Sequence, residues 1–346
     1  MRGGERVLEA LCDAYPGSDI FSLFHVPGSV SPAIERHRIV TALPAAVARL
    51  PRAALLPLLP LAVRRLRPTG YDAVLSVSHC VSHGARPPGD VRGTRTLSYC
   101  LTPMRYAWGM AGEYLGRWAP PAWPMLAALR AWDRRMAQHV TAVAGISEFI
   151  RDRIRHAWQR DVEVIYPPVE VARFAGVARA PEDFYLVVSA LAPYKRVDVA
   201  VRACSQLGRR LLVVGTGPEA RNLQKIAGPT VRFLGWQSDA TIAELYGRAR
   251  ALLFPGVEDF GIVPVEAMAA GCPVIATAAG GALETVGRLG IMAPAPTIGA
   301  FCTAMQQLER EGAIDPDVLR RQAATFDRAI FLERVTAWIA ATLGKA

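Results

Sequence analysis

Along nearly the whole chain, short apolar runs rich in β-branched residues alternate with longer segments whose apolar positions recur every three or four residues. The short runs predict strands: DIFSLF, YDAVLSVS, TRTLSYC, VTAVAGIS and VEVIYPP in the first half, and FYLVVSA, RLLVVG, VRFLG, ALLFP, CPVIA and GIM in the second. The longer segments predict helices. One opens just after Gly3 and Gly4, with Val7, Leu8 and Leu11 on one face, and one closes the chain from about Phe326, with Leu332, Val335 and Ile339. Strands without polar alternation, separated by helices, imply parallel sheets covered on both faces. The expected fold class is therefore α/β, two doubly wound parallel-sheet (Rossmann-like) domains facing across a cleft, with ligands at the carboxyl ends of the strands.

YPPVEVARFAGVARAPEDF, with Pro167, Pro168 and Pro181, interrupts the pattern as a linker would. It divides the chain into residues 1–172, a linker over 173–183, and residues 184–325. The last helix, about 326–346, is expected to pack back on the first domain. A length of 346 residues suits two such domains.

Composition narrows the classes. Hydrophobic residues make up 51% and charged residues 20%, which argues against disorder. The six cysteines are scattered, with no C-x-x-C pair and no histidine at metal-ligand spacing, so they read as reduced core residues of a cytoplasmic protein. MRGGERVLEA lacks the apolar segment of a signal peptide. The net charge of +10 sits mostly in residues 1–175, which hold 22 Arg, no Lys and 14 acids. The arginines are dispersed and not interleaved with aromatics, which argues against nucleic acid as the partner. RLPRAALLPLLPLAVRRLRP is different: Arg49, Arg52, Arg64, Arg65 and Arg67 surround an apolar stretch too short to span a bilayer. It reads as a contact with an anionic membrane surface or as a core helix with solvated ends.

Three windows carry candidate chemistry. In ALLFPGVEDFGIVPVEAMAAGCPVIAT, Pro264 suits a first helical position, which puts Glu266 in the first turn and Glu258 in the preceding loop. The amides of Phe260, Gly261, Ile262 and Val263 then point at an anion or at sugar oxygens, and a carboxylate beside them suits a diol. Taken singly, Glu266 reads equally as a complement to the helix dipole and Glu258 as a solvated loop residue. In VVSALAPYKRVDVAVRA, a strand ends at Ser189 and the loop delivers Lys195 and Arg196 to a helix start, as a phosphate site or as a solvated pair. VVGTGPEARNL places Gly215 and Gly217 at a strand–helix turn. His79 and His83, in VSHCVSHGA, either line the cleft or sit satisfied in the core. No metal site is expected, because the lone D-x-D, Asp315 to Asp317, reads as an N-cap followed by Pro316 at the first helical position.

SALAPYKR, GTGPE, FLGWQSD and two glutamates separated by seven residues resemble, in order and spacing, the retaining glycosyltransferases of family 4, whose two-domain fold is called GT-B. GGERVLEAL, TPMRYAW and YPPVEVARF further resemble bacterial mannosyltransferase-like members that build surface polysaccharides. The resemblance implies a metal-independent transfer of a hexose, mannose favoured, from a GDP- or UDP-sugar to a glycan or lipid-linked acceptor, by a protein in the cytoplasm or at the inner face of the plasma membrane. Lys195 and Arg196 would hold the diphosphate, Glu266 the ribose hydroxyls, and Glu258 the donor hexose. Ser189, Gly215, Gly217 and the amides of Phe260 to Val263 would line the nucleotide-sugar. In that family a strand and short loop precede the glycine pair, whose members approach the diphosphate and acceptor. The first strand would thus be missing here, leaving Met1 an internal methionine or a misassigned start. A chain longer by about 15 to 20 residues upstream would be the more stable and active.

Two positions depart from the family pattern. Ala190 stands where many members have an arginine, which makes Arg196 the second cation, and Leu101 stands where many have a histidine near the donor sugar. A sugar-nucleotide-binding relative without catalysis, or a sugar-nucleotide epimerase of similar shape, therefore remain open alternatives.

Overall fold

The computed structural model describes residues 3–49, 55–87, 93–116, 119–312 and 314–344, apart from the side chains of residues 48, 49, 113 and 114. It divides into two compact units, Met1–Pro168 with Phe331–Ala346, and Val169–Ile330.

In the second unit every strand is parallel to its neighbours: β7 (Tyr185–Val188), β8 (Leu211–Val214), β9 (Val231–Gly235), β10 (Ala251–Phe254), β11 (Val274–Thr277) and β12 (Ile291–Ala293). Their spatial order, β9-β8-β7-β10-β11-β12, is that of a doubly wound sheet, whose direction of winding reverses between β7 and β10. β10 and β11 are buried along their whole length. Val197 to Cys204 of the helix Val197–Leu207, and Phe301 and Met305 of the helix Ile298–Glu311, close over one face. The apolar, unalternating character of these strands follows from burial on both faces.

The first unit is built the same way but its sheet is in two pieces. β3 (Ala73–Ser78), β4 (Arg95–Cys100), β5 (Ala142–Gly145) and β6 (Glu163–Val164) form one parallel sheet. β1 (Ile20–Ser22) and β2 (Ile39–Thr41) form a separate parallel pair. Among the described residues β3 therefore bonds to a strand on one side, and its residues Ala73 to Val77 remain partly exposed. The hydroxyl of Tyr71 donates to Asp19 at 2.5 Å and its ring meets Phe21 edge-on, which ties the foot of β1 to the foot of β3. β2, three residues with no buried position, lies in a stretch that the sequence pattern does not mark as a strand.

The segment expected as a linker over 173–183 is instead part of the second unit. Its amides at Ala180 and Glu182 donate to the carbonyls of Gly247 and Arg248. The guanidinium of Arg179 fans out to the carbonyls of Tyr246, Gly247, Ala249 and Arg250 at 2.6–3.3 Å. Small residues and prolines there allow close docking of backbone on backbone, not free movement. The division falls earlier, at Pro168, and the closing helix, Arg328–Leu343, contributes its residues from Phe331 onward to the first unit.

All six cysteines are buried and free. Burial pushes the Cys272 thiol up to about 11 and, with the nearby Asp133, the Cys80 thiol up to about 12.

Candidate functional site

The point where a doubly wound sheet reverses its winding leaves an open crevice beyond the carboxyl ends of its two central strands. Here those strands are β7 and β10, and the loops that follow them carry Lys195 and Glu258. The first loop leaves β7 at Ser189, whose hydroxyl donates to the Ala190 carbonyl at 3.1 Å, and buries Leu191. It then makes a single 3-10 turn over Pro193–Lys195. Arg196 follows in the left-handed conformation, φ 52° and ψ 34°, and the helix Val197–Leu207 begins. The second loop runs from Pro255 to Gly261. A Cβ on its Gly256 would lie 3.0 Å from the backbone of Lys195, so the two loops touch main chain to main chain.

That contact sets Lys195 Nζ against Glu258 Oε1 as an ion pair, with the side chains 20% and 16% exposed. Nζ also lies 5.2 Å from the centroid of the Tyr194 ring. Glu258 is anchored from behind, since its carbonyl accepts from the Gly281 amide at 2.9 Å in the turn that follows β11. Two residues 63 positions apart in sequence thus meet at the mouth of the crevice. Arg196 points elsewhere: its Nε donates to Asp198 at 3.1 Å, a half-exposed pair beside the same helix start.

The helix after β10 begins earlier than Pro264 implies. It spans Ile262–Ala269 and Gly261 is its N-cap at φ 96°, a backbone reversal that favours glycine. Pro264 is thus the third helical residue, and Glu266 lies in the second turn, 7% exposed, not in the first. The amides at the helix start are those of Gly261, Ile262 and Val263, while Phe260 is buried against Phe326.

Gly215 and Gly217 have a different role from a simple opening for a ligand. A Cβ on either would overlap the carbonyl of Ser189 or of Leu191. At the same place the Leu191 amide donates to Thr216 and the Glu219 amide donates to Leu191, both at 2.9 Å. The glycines let the loop after β8 lie flat on the loop after β7, forming one floor. Trp236, the aromatic of FLGWQSD, leaves β9 at this same carboxyl edge and is 76% exposed.

In the first unit Gly3 and Gly4 are the first residues of the helix Gly3–Ala14 and not a turn before it. A Cβ on Gly4 would meet Leu101 Cδ1 at 2.8 Å, so the residue after β4 packs directly on the first turn of this helix. His83 is a core residue: it and Asp133 are fully buried, its Nε2 3.3 Å from Asp133 Oδ1 and its Nδ1 3.2 Å from Ser78 Oγ. Asp133 Oδ2 accepts from the indoles of Trp108 at 2.7 Å and Trp158 at 2.6 Å. The serine, histidine and aspartate have the look of a hydrolytic triad, but no substrate can reach them. Asp315 caps the helix Pro316–Ala324, accepting from the Asp317 amide at 2.9 Å.

A family model described as Glycosyltransferase Family 4 matches residues 1–173, half of the chain. The chain belongs to glycosyltransferase family 4. A second model, described as Glycosyl transferases group 1, matches residues 182–311, the part that holds the Lys195–Glu258 pair. Among curated relatives of this family 4 chain, the GDP-mannose-dependent alpha-(1-6)-phosphatidylinositol monomannoside mannosyltransferase of Mycolicibacterium smegmatis is 30% identical over 220 residues, 54% of this chain and 57% of that protein. The D-inositol 3-phosphate glycosyltransferase of Mycobacteroides abscessus is 31% identical over 201 residues, 51% of this chain and 43% of that protein. The match therefore spans less than two thirds of either relative.

Solved structures share the GT-B fold of this family 4 chain. Sucrose-phosphate synthase from Thermosynechococcus elongatus superposes with a TM-score of 0.74 at 20% identity, covering 99% of this chain and 92% of that one. Anabaena HepE in complex with UDP and glucose gives 0.70 at 18% identity, covering 98% and 96%.

Proposed function

We propose that this chain is a retaining glycosyltransferase that moves a hexose, mannose in the first instance, from a GDP- or UDP-sugar to a lipid-linked or glycan acceptor in cell-surface polysaccharide or glycolipid synthesis. The observation that carries the reading is the Lys195–Glu258 pair at the reversal point of the second unit's sheet. A cation there meets a diphosphate, and a carboxylate beside it meets the sugar that the diphosphate carries. Mannose is favoured because relatives at about 30% identity are named as GDP-mannose-dependent.

In the reaction, the bond between the anomeric carbon and the β-phosphate oxygen breaks while the acceptor hydroxyl attacks from the same face. The acceptor proton passes to the leaving phosphate. Lys195, released from Glu258, and Arg196, turned from Asp198, neutralise the charge that grows on that phosphate and take the part a divalent metal plays elsewhere. Glu258 orients the hexose hydroxyls and supports positive charge on the ring, while Glu266 accepts the ribose hydroxyls. The amides of Ile262 and Val263, with Ser189 and the Gly215–Gly217 floor, line the nucleotide. Nucleotide-sugars of this kind place the work in the cytoplasm.

The test is calorimetric titration with GDP-mannose and UDP-glucose, followed by assay of donor hydrolysis. Lys195→Ala and Glu266→Gln should each weaken the preferred donor by about ten- to a hundredfold, as charge-assisted bonds of about 1.5–3 kcal/mol imply. Unchanged affinity in both variants refutes the site. Leu101 on Gly4 favours a second reading, a binding protein without turnover, and tight donor binding with no hydrolysis or transfer would select it.

A further inference from the structure

Residues 36–71 contain seven arginines and no acid, the longest acid-free stretch of the basic first half. Its second described part, residues 55–71, holds two short helical turns, Leu56–Leu58 and Leu59–Val63, followed by Arg64 to Arg67. One face is core: Leu56, Val63 and Leu66 are buried together with Leu126 and Leu129 of the helix Trp123–Gln138. The other face is turned out. Leu58 is 56% and Leu61 63% exposed, and the exposed Arg64, Arg65 and Arg67 follow them. Among the described residues these three arginines make no ion pair, unlike Arg36 and Arg38, which face Asp13 and Asp19. Beside it, Trp123 is 59% exposed at the start of its helix, between Ala122 and Met125, which pack on the same core cluster. Arg49 and Arg52, which the sequence groups with this face, lie outside the described side chains.

We propose that this face docks on an anionic lipid surface, with Leu58 and Leu61 entering the headgroup boundary and Arg64, Arg65 and Arg67 resting on lipid phosphates. Large aliphatic side chains held out by a buried partner face, beside unpaired arginines, match an interface of apolar interior and anionic rim. Arginine at such a surface strengthens binding about fivefold per residue. A protein partner with an acidic surface would answer to the charges but would leave two leucines facing polar groups. The proposal does not depend on the donor or on transfer activity.

The test is co-sedimentation of the whole chain with vesicles of phosphatidylcholine alone and with one third phosphatidylglycerol, at low salt and with added salt. Binding should require the anionic lipid and weaken as salt rises. Leu58→Ser with Leu61→Ser, and separately Arg64→Gln with Arg65→Gln, should each weaken it more than tenfold without lowering the melting temperature. Arg221→Gln with Arg232→Gln, which removes the same charge from an exposed part of the second unit, should leave it within twofold. Binding to neutral vesicles as strong as to anionic ones, an equal loss from the Arg221 and Arg232 changes, or a self-associating chain made monomeric by the leucine changes without lipid would each overturn the proposal.

Discussion

Replacing Asp133 by alanine should cost the first unit about 4 kcal/mol, although no ligand touches it. Its carboxylate is fully buried on the helix Trp123–Gln138. It takes the indole N–H of Trp108, from the helix Arg105–Trp108, and of Trp158, from the end of the helix Glu148–Trp158. Its second oxygen faces His83, in the turn after β3. Alanine leaves both indole donors without a partner in the core. A buried donor so orphaned costs about 1–3 kcal/mol. The two indoles together therefore account for about 2–6 kcal/mol, centred near 4. Against a total stability of about 5–15 kcal/mol, that leaves a marginal unit. Urea denaturation followed by tryptophan fluorescence is the assay, because six of the seven tryptophans belong to the first unit and only Trp236 to the second. Asparagine at 133 keeps an oxygen for both indoles and should cost less than alanine. Alanine combined with His83→Leu should recover part of the loss. A loss under 1 kcal/mol for alanine, or equal losses for alanine and asparagine, would refute the reasoning.

Arg196→Gly removes a side chain from a left-handed residue, where a Cβ costs about 1–2 kcal/mol. The melting temperature should hold or rise while donor affinity falls about tenfold, and a clear fall in melting temperature would count against strain at this position. Glu309 accepts from Arg209 at 2.7 and 2.8 Å and from the Tyr185 hydroxyl at 2.9 Å, and the Arg209 bonds hold its carboxyl below the usual 4.5. A depressed carboxyl gives stability that is present above about pH 4.5 and is lost as pH falls through its own lower value. Melts of the parent and Glu309→Gln should therefore differ most at neutral pH and converge in acid. A gap that stays constant down to pH 3 would contradict this.

The alternation of strands and helices was most legible where strands such as β10 and β11 are buried on both faces and so have little choice of residue. Each of the eleven runs read as strands overlaps one, from Ile20–Ser22 to Ile291–Ala293. What escaped was set by backbone geometry that residue types do not announce. Pro264 suggested a helix start, but Gly261 makes the reversal, so the helix begins two residues sooner. The proline-rich segment over 173–183 suggested freedom, but Arg179 finds four carbonyls there, a fit that depends on the strand ends around it. Lys195, Glu258 and Glu266 could be nominated singly. That Lys195 would meet Glu258, while Arg196 would turn to Asp198, follows from which strands become neighbours, and only the folded sheet decides that. His83 could be placed in the core or at an opening with equal ease, because its partner Asp133 lies 50 residues away.

The divided sheet of the first unit has a consequence in time as well as in space. Three parallel residue pairs hold β1 to β2, too few to persist as an isolated ribbon. Its surroundings keep it in place: the Asp19–Tyr71 bond, the edge-on Phe21–Tyr71 contact and the packing of Phe21, Leu23 and Ala42 on the core of the unit. The β3–β4 pair, by comparison, runs through six residue pairs and continues into β5. Fluctuations of the first unit therefore have a natural order. The ribbon is expected to open before β4 and β5, with higher amide exchange at β1 and β2 than along β4 as the sign of it.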